Sequence, residues 1–231
     1  MSHQSVQIDP LDSPHPIPWS WVLATLSASH SSHLAGTYCY RTQSLLSPDR
    51  AYAAYSRIQM QVELDYFNSH VTSVLFLENL HTGDLQAITP TSPLANNPFL
   101  QTGSNLQGHI SIAIPVSWSE SGDRLLAREF ESILGSDIAS DYGVIVDRSR
   151  NRVHTLSPTR VRYTNAVLLG WSQAHPERVL FRAGMMGDEH WQQWTVDAVG
   201  HTLLARSDRP ALFGQVINNV WAGPQMQSQQ L

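Results

Sequence analysis

LLSPDRAYAAYS (residues 45–56) and, after a variable stretch, VLFLENLHTGDLQAIT (residues 74–89) decide how this 231-residue chain is built. The order is apolar residue, Ser, polar turn, Arg, apolar run, variable loop, second apolar run, Asn or Asp, tight turn, short apolar run. The same order returns as SWSESGDRLLARE (117–129) followed by GVIVDRSRNRVHTLS (143–157). It returns again as GWSQAHPERVLFRA (170–183) followed by WQQWTVDAVGHTLLA (191–205). A unit of this length repeated along a chain is expected to stack on its own copies.

SPDR, SESGDR and SQAHPER read as turns, because Ser, Asp, Gly and Pro bond their own backbone or pre-set its angles. Gly83, Asn151 and Gly200 follow Asn79, Asp147 and Asp197 by three or four residues. Gly and Asn tolerate positive φ, so a second set of hairpin turns is expected there. Each repeat is then a four-stranded antiparallel meander. Leu46, Trp118 and Trp171 stand at the same place, just before Ser47, Ser119 and Ser172. A large apolar group at that place is expected to pack one sheet on its neighbour.

The SPD turn at Ser47, with Leu80-His-Thr-Gly-Asp84 and Ile88-Thr89 after it, resembles the WD40-like repeat of TolB-type β-propellers. Copy one has Arg50 where that family prefers glycine, and copy three carries an insertion in the turn. As a whole the chain also resembles proteins from cyanobacteria. The resemblance implies an all-β fold: a small propeller, or a propeller-like stack of three to four antiparallel four-stranded sheets. Three copies are few for a closed ring. A fourth sheet is therefore sought in Tyr38–Leu45 joined to the C-terminal LFGQVINNVWAG. The alternatives are an open stack with covered edges or a homodimer that closes the ring, since bare sheet edges invite pairing.

Around the repeats, residues 1–18 carry four prolines and read as an extended or disordered arm. Pro18 then opens WSWVLATLSASHSS as a short helix, because proline suits a first helical turn. Residues 19–224 form one domain, interrupted by a long Pro-, Asn- and Ser-rich loop over 90–108, and 225–231 is a loose tail.

Hydrophobic residues make up 42% of the chain and charged residues 14%, so a sizeable core is expected. A net charge of −5 argues against general nucleic-acid binding. No apolar run reaches the length of a membrane span. The opening MSHQSVQIDPLDSPHP lacks the basic and apolar regions of a secretory signal. One cysteine, Cys39, allows no internal disulfide and no multi-thiolate metal site, and a cytoplasmic location fits. Cys39 is expected to be a strand residue rather than a reactive thiol, since it sits between Tyr38 and Tyr40 with only Arg41 near. All fourteen basic residues are arginine, so lysine chemistry is excluded.

Five of those arginines, Arg148, Arg150, Arg152, Arg160 and Arg162, fall in a fifteen-residue window opposed only by Asp147. Clustered guanidiniums suit carboxylate recognition, so an acidic protein partner is expected there. Three other groups have residue types that suit chemistry: His30 with His33 for a metal, Asp188-Glu189-His190 beside Trp191 and Trp194 for acid–base work, and Asp137 with Asp141 for a cation. Each has a simpler structural role to hand. No GxSxG elbow or Gly-rich phosphate loop occurs, and no cofactor or metal is expected. The expected function is a non-catalytic protein-binding or scaffold module. The alternative is a hydrolase or lyase at the central mouth, which would need Asp, Glu or His from two copies in one pocket.

Overall fold

In the computed structural model, which describes residues 9–89 and 108–225, each repeat folds as one antiparallel meander. The first is β2 (Ser44–Leu46), β3 (Tyr52–Val62), β4 (His70–Asn79) and β5 (Leu85–Ile88), preceded by β1 (Gly36–Arg41). The second is β6 (His109–Trp118), β7 (Arg124–Ile133), β8 (Ala139–Asp147) and β9 (Arg152–Leu156). The third is β10 (Asn165–Ser172), β11 (Val179–Gly184), β12 (Gln192–Val196) and β13 (Thr202–Leu204). A single parallel bridge, Val71 to Ile110, joins the first two meanders into one sheet, and the third forms a second sheet.

The turns form as their residues dictate. Ser47 Oγ donates to Asp49 and accepts the Tyr52 N–H, while Ser119 Oγ donates to Asp123 and accepts the Arg124 N–H. In copy three the insertion displaces the local acid, and Ser172 Oγ donates instead to Asp208, 36 residues on. The hairpin turns behave alike: the side-chain oxygens of Asn79, Asp147 and Asp197 each accept backbone N–H groups of the turn that follows. Gly83, Asn151 and Gly200 all take positive φ.

The middle meander is covered on both faces, which is why its strands carry apolar residues at successive positions. Leu125, Ala127, Val144 and Val146 pack with Leu45, Leu75 and Leu77 of the first meander. Leu126, Ile145 and Leu156 pack with Leu168, Trp171, Phe181 and Val196 of the third. Trp118 and Trp171 are buried as their position requires, whereas Leu46 is half-buried and Leu45 takes the core place in copy one.

One C-terminal segment ties the three repeats together at those matched positions. Strand β14 (Pro210–Ala211) pairs Ala211 with Trp171 of β10. Phe213 bridges to Trp118 of β6, and β15 (Gln215–Ile217) pairs Gln215 with Leu46 of β2. Alternate residues of a single extended run thus meet the three equivalent residues in turn. Between the last two contacts stands Gly214 (φ +101), where a Cβ would lie 2.6 Å from Leu46 O and 2.8 Å from the Trp118 ring.

No separate fourth sheet forms among the described residues. β1 and β16 (Gly223–Gln225) pair with each other, β1 continues onto β3, and β15 joins β2. The C-terminal segment therefore completes the first meander's sheet, because β3 is long enough to pair with both β1 and β2. Cys39 lies half-buried in β1, opposite Gln59 and Gln225.

The helix α1 (Trp19–Ser32) starts after Pro18 and ends at His33, in left-handed conformation. It buries Val22, Leu26 and Ser29, one helical face, against the core that holds Ile58, Met60 and Val62 of β3. Residues 1–8 of the expected arm lie outside the described residues. From Asp9 onward the expected arm packs on the fold: Asp9, Leu11, Ser13 and Ile17 are buried. The expected loop over 90–108 lies outside the described residues apart from Gly108. So does the expected tail apart from Gln225, which is in β16.

Candidate functional site

Where β5, β9 and the β12–β13 turn approach one another, a cleft of about 540 Å³ opens at the surface. Its lining comes from all three repeats. Thr89 belongs to the first, Tyr142, Val153, Thr155 and Ser157 to the second, and Ala198, Val199 and Gly200 to the third. The far wall is fixed by Thr159, whose N–H bonds Thr202 Oγ1 and whose hydroxyl donates to Gly200 O. Val153 and Val199 remain 44% and 78% exposed on the walls. The lining offers hydroxyls and β-branched carbons, with no Asp, Glu or His among the described residues.

Four of the five expected arginines are exposed around this cleft's strand and loop. Arg150 occupies the β8–β9 turn, Arg152 opens β9, and Arg160 and Arg162 follow it in the loop to β10. Arg152 and Arg160 are the covalent neighbours of the lining residues Val153 and Thr159. Arg150 reaches Asp147 Oδ2 at 2.8 Å. Ser149 and the Arg150 N–H and guanidinium hold that carboxyl down to about 2. The nearest acid of the opposite wall, Asp197, is bridged by Arg178 at 3.2 Å and capped by the Val199 and His201 N–H groups.

Arg148 stands apart from the other four. It is half-buried, donates to Gly122 O, and lays its guanidinium 3.4 Å from the Tyr52 ring centre and 5.9 Å from that of Trp118. It joins the first two repeats as a structural cation. Arg124 does the same over Trp171, at 5.0 Å, for the second and third.

The other weighed groups do not assemble into sites. His30 and His33 stack with ring centres 6.3 Å apart, and among the described residues no three His, Cys, Asp or Glu side chains gather as a metal site. Asp188 is exposed and accepts the Met185 N–H. Asp137 is exposed, while Asp141 is fully buried and bonded to Arg128.

The strongest electrostatics lie inside the middle meander, where sequence reasoning expected none. Arg128 Nε donates to Asp141 at 2.7 Å, and its Nη1 and Nη2 donate to the Asp9 carboxyl at 2.6 and 3.1 Å. Burial works against Asp9's charge, but the Arg128 bonds and the Leu11 and Ile17 N–H groups hold its carboxyl below the usual range. Burial dominates at Asp141 and pushes it up to about 6, against the pull of Arg128 and the Leu168 N–H.

The other face of β7 carries Glu129 and Glu131, both buried. Burial first, then the neighbouring Glu131, pushes Glu129 up to about 8, with a Ser111 hydroxyl bond opposing. His109 Nε2 sits 4.0 Å from Glu131, and burial pushes this imidazole down. The one signal in the sequence for both groups was ionisable residues inside the apolar run LLAREFESI.

No protein-family model matches this chain, and no curated protein is similar enough to count as a relative. No helix among the described residues is long and apolar enough to cross a membrane.

Proposed function

We propose that the chain is a non-catalytic protein-binding module, a propeller-like stack of three four-stranded meanders that recruits an acidic partner through its cleft and arginine rim. The observation that carries this reading is the cleft itself. Three repeats converge on it, the exposed Arg152 and Arg160 adjoin its lining residues in the chain, and among the described residues that lining holds hydroxyl and apolar groups without an acid or imidazole. A hydrolase or lyase in this cleft would need acid–base groups from two repeats there. Cytoplasmic residence goes with this reading, since a single cysteine offers no disulfide framework. Arg150, Arg152, Arg160 and Arg162 supply positive potential on a chain whose net charge is −5. Such a patch steers and orients an acidic partner, and salt screens it over a Debye length of about 10 Å at 0.1 M.

The test is capture by the tagged full chain from a lysate of the source organism, followed by stepwise salt elution and mass spectrometry. An acidic protein released as salt rises is expected. A retained protein that salt does not release, or whose interface maps away from the β9 side, would refute the reading.

A further inference from the structure

Strand β9 ends the main sheet: it pairs with β8 and, among the described residues, with nothing on its other side. Half of its amides and carbonyls therefore point away from β8, along the strand whose Val153 and Thr155 line the cleft. Edge strands of natural proteins are normally shielded. Here the shield is incomplete, because Arg152, Val153, Arg160 and Val199 are exposed and the opposite wall stands off by the width of the cleft.

The charges around this edge are of one sign. Arg152, Arg160 and Arg162 have no ion-pair partner among the described residues; Asp147, opposite Arg152 in the β8–β9 pair, and Asp197, next to the lining residue Ala198, are already bonded to Arg150 and Arg178. An incoming chain thus meets free backbone groups, two exposed valines and unneutralised guanidiniums. We propose that the partner binds as an extended acidic segment that adds one strand to the outer edge of β9. Its backbone pairs with the free N–H and C=O groups. Its apolar side chains cover Val153 and Val199, and its carboxylates reach Arg152, Arg160 and Arg162. Strand addition takes affinity from main-chain bonds and specificity from alternate side chains, so a segment alternating acidic and β-branched residues fits best.

This inference rests on the acidic-partner reading above, and the test separates the two. A fluorescein-labelled peptide alternating glutamate and valine is titrated with the full chain at low salt, and anisotropy gives Kd. One control peptide has lysine for every glutamate. A second has its central valine replaced by proline, which keeps the charge but removes a ladder donor. A protein variant carries Arg152→Glu and Arg160→Glu, with its thermal melt recorded alongside. The expected result is binding of the acidic peptide, a loss of about tenfold or more on the proline change and on the arginine reversal, and no binding of the lysine peptide.

Equal affinity for the proline peptide would overturn strand addition while leaving the acidic-partner reading intact. The same holds if the acidic peptide does not bind but a captured partner is still lost on arginine reversal. Equal affinity for the lysine peptide would overturn both.

Discussion

Arg128 and Asp9 are 119 residues apart in sequence and meet as a doubly hydrogen-bonded pair from which water is excluded. The pair pins the start of the described chain against the central strand of the middle repeat. Asp9 also accepts the Leu11, Ser13 and Ile17 N–H groups, so one carboxylate folds its own segment while anchoring it. Breaking a buried pair by removing one partner costs about 3–5 kcal/mol, because the other charge is left stranded. Arg128→Lys is expected to lose most of that, since an ammonium cannot span both carboxylates in the plane that the guanidinium fills. Urea denaturation of Arg128→Lys, Asp9→Asn and the double variant measures the coupling. Additive losses would show that the pair does not act as one unit.

The buried tryptophans should separate from Leu46 in the same kind of measurement. Trp118→Ala and Trp171→Ala are each expected to cost about 3–5 kcal/mol, as for a fully buried aromatic side chain. Leu46→Ala should cost clearly less, because Leu46 is half-buried and Leu45 occupies the core. A loss well under 1 kcal/mol at Trp171 would contradict the matched-position account.

Arg50 sits at φ +57 where copy two has Gly122 at φ +75, and each donates its N–H to the serine that opens its turn. A non-glycine residue in the left-handed region costs roughly 1–2 kcal/mol. Arg50→Gly is therefore expected to raise the melting temperature, despite losing an exposed bond to Gln215. A lower melting temperature would mean that the Gln215 contact outweighs the backbone strain.

Glu129 gives the stability of this protein a pH dependence of known sign. Its carboxyl is pushed from 4.5 up to about 8 in the folded state. Between those values the unfolded chain ionises while the folded chain stays protonated, so stability falls as pH rises through the window and levels off above it. Glu129→Gln keeps the shape without the charge. Melting temperatures across pH 7–9, above the windows of Asp141 and His109, should slope downward in the native chain and clearly less in the variant. Parallel curves would show that Glu129 is already ionised when folded.

The turn residues made the repeats legible from the sequence. Ser47, Ser119, Gly83, Asn151 and Gly200 announce local backbone geometry that no distant contact overrides, and the meanders follow from them. Arg128 and Glu129 were opaque for the opposite reason. Their partners come from Asp9, Asp141 and Ser111, and only the covering of β7 on both faces turns such residues from surface into core. The C-terminal segment reads as half of a fourth sheet, but it joins the first meander's sheet and crosses all three repeats, because its pairings are set by register with distant strands. Arg148 looked like a member of the exposed strip until Tyr52 placed it between repeats.

The claim at the centre is that the exposed arginines serve binding and not folding. Arg152→Glu with Arg162→Glu tests it most directly, read in parallel by thermal melting and by co-purification of the captured acidic partner. Exposed substitutions usually change stability by no more than about 0.5 kcal/mol. The account predicts an unchanged melt and loss of the partner. Undiminished co-purification, or a collapse of the fold, would contradict it.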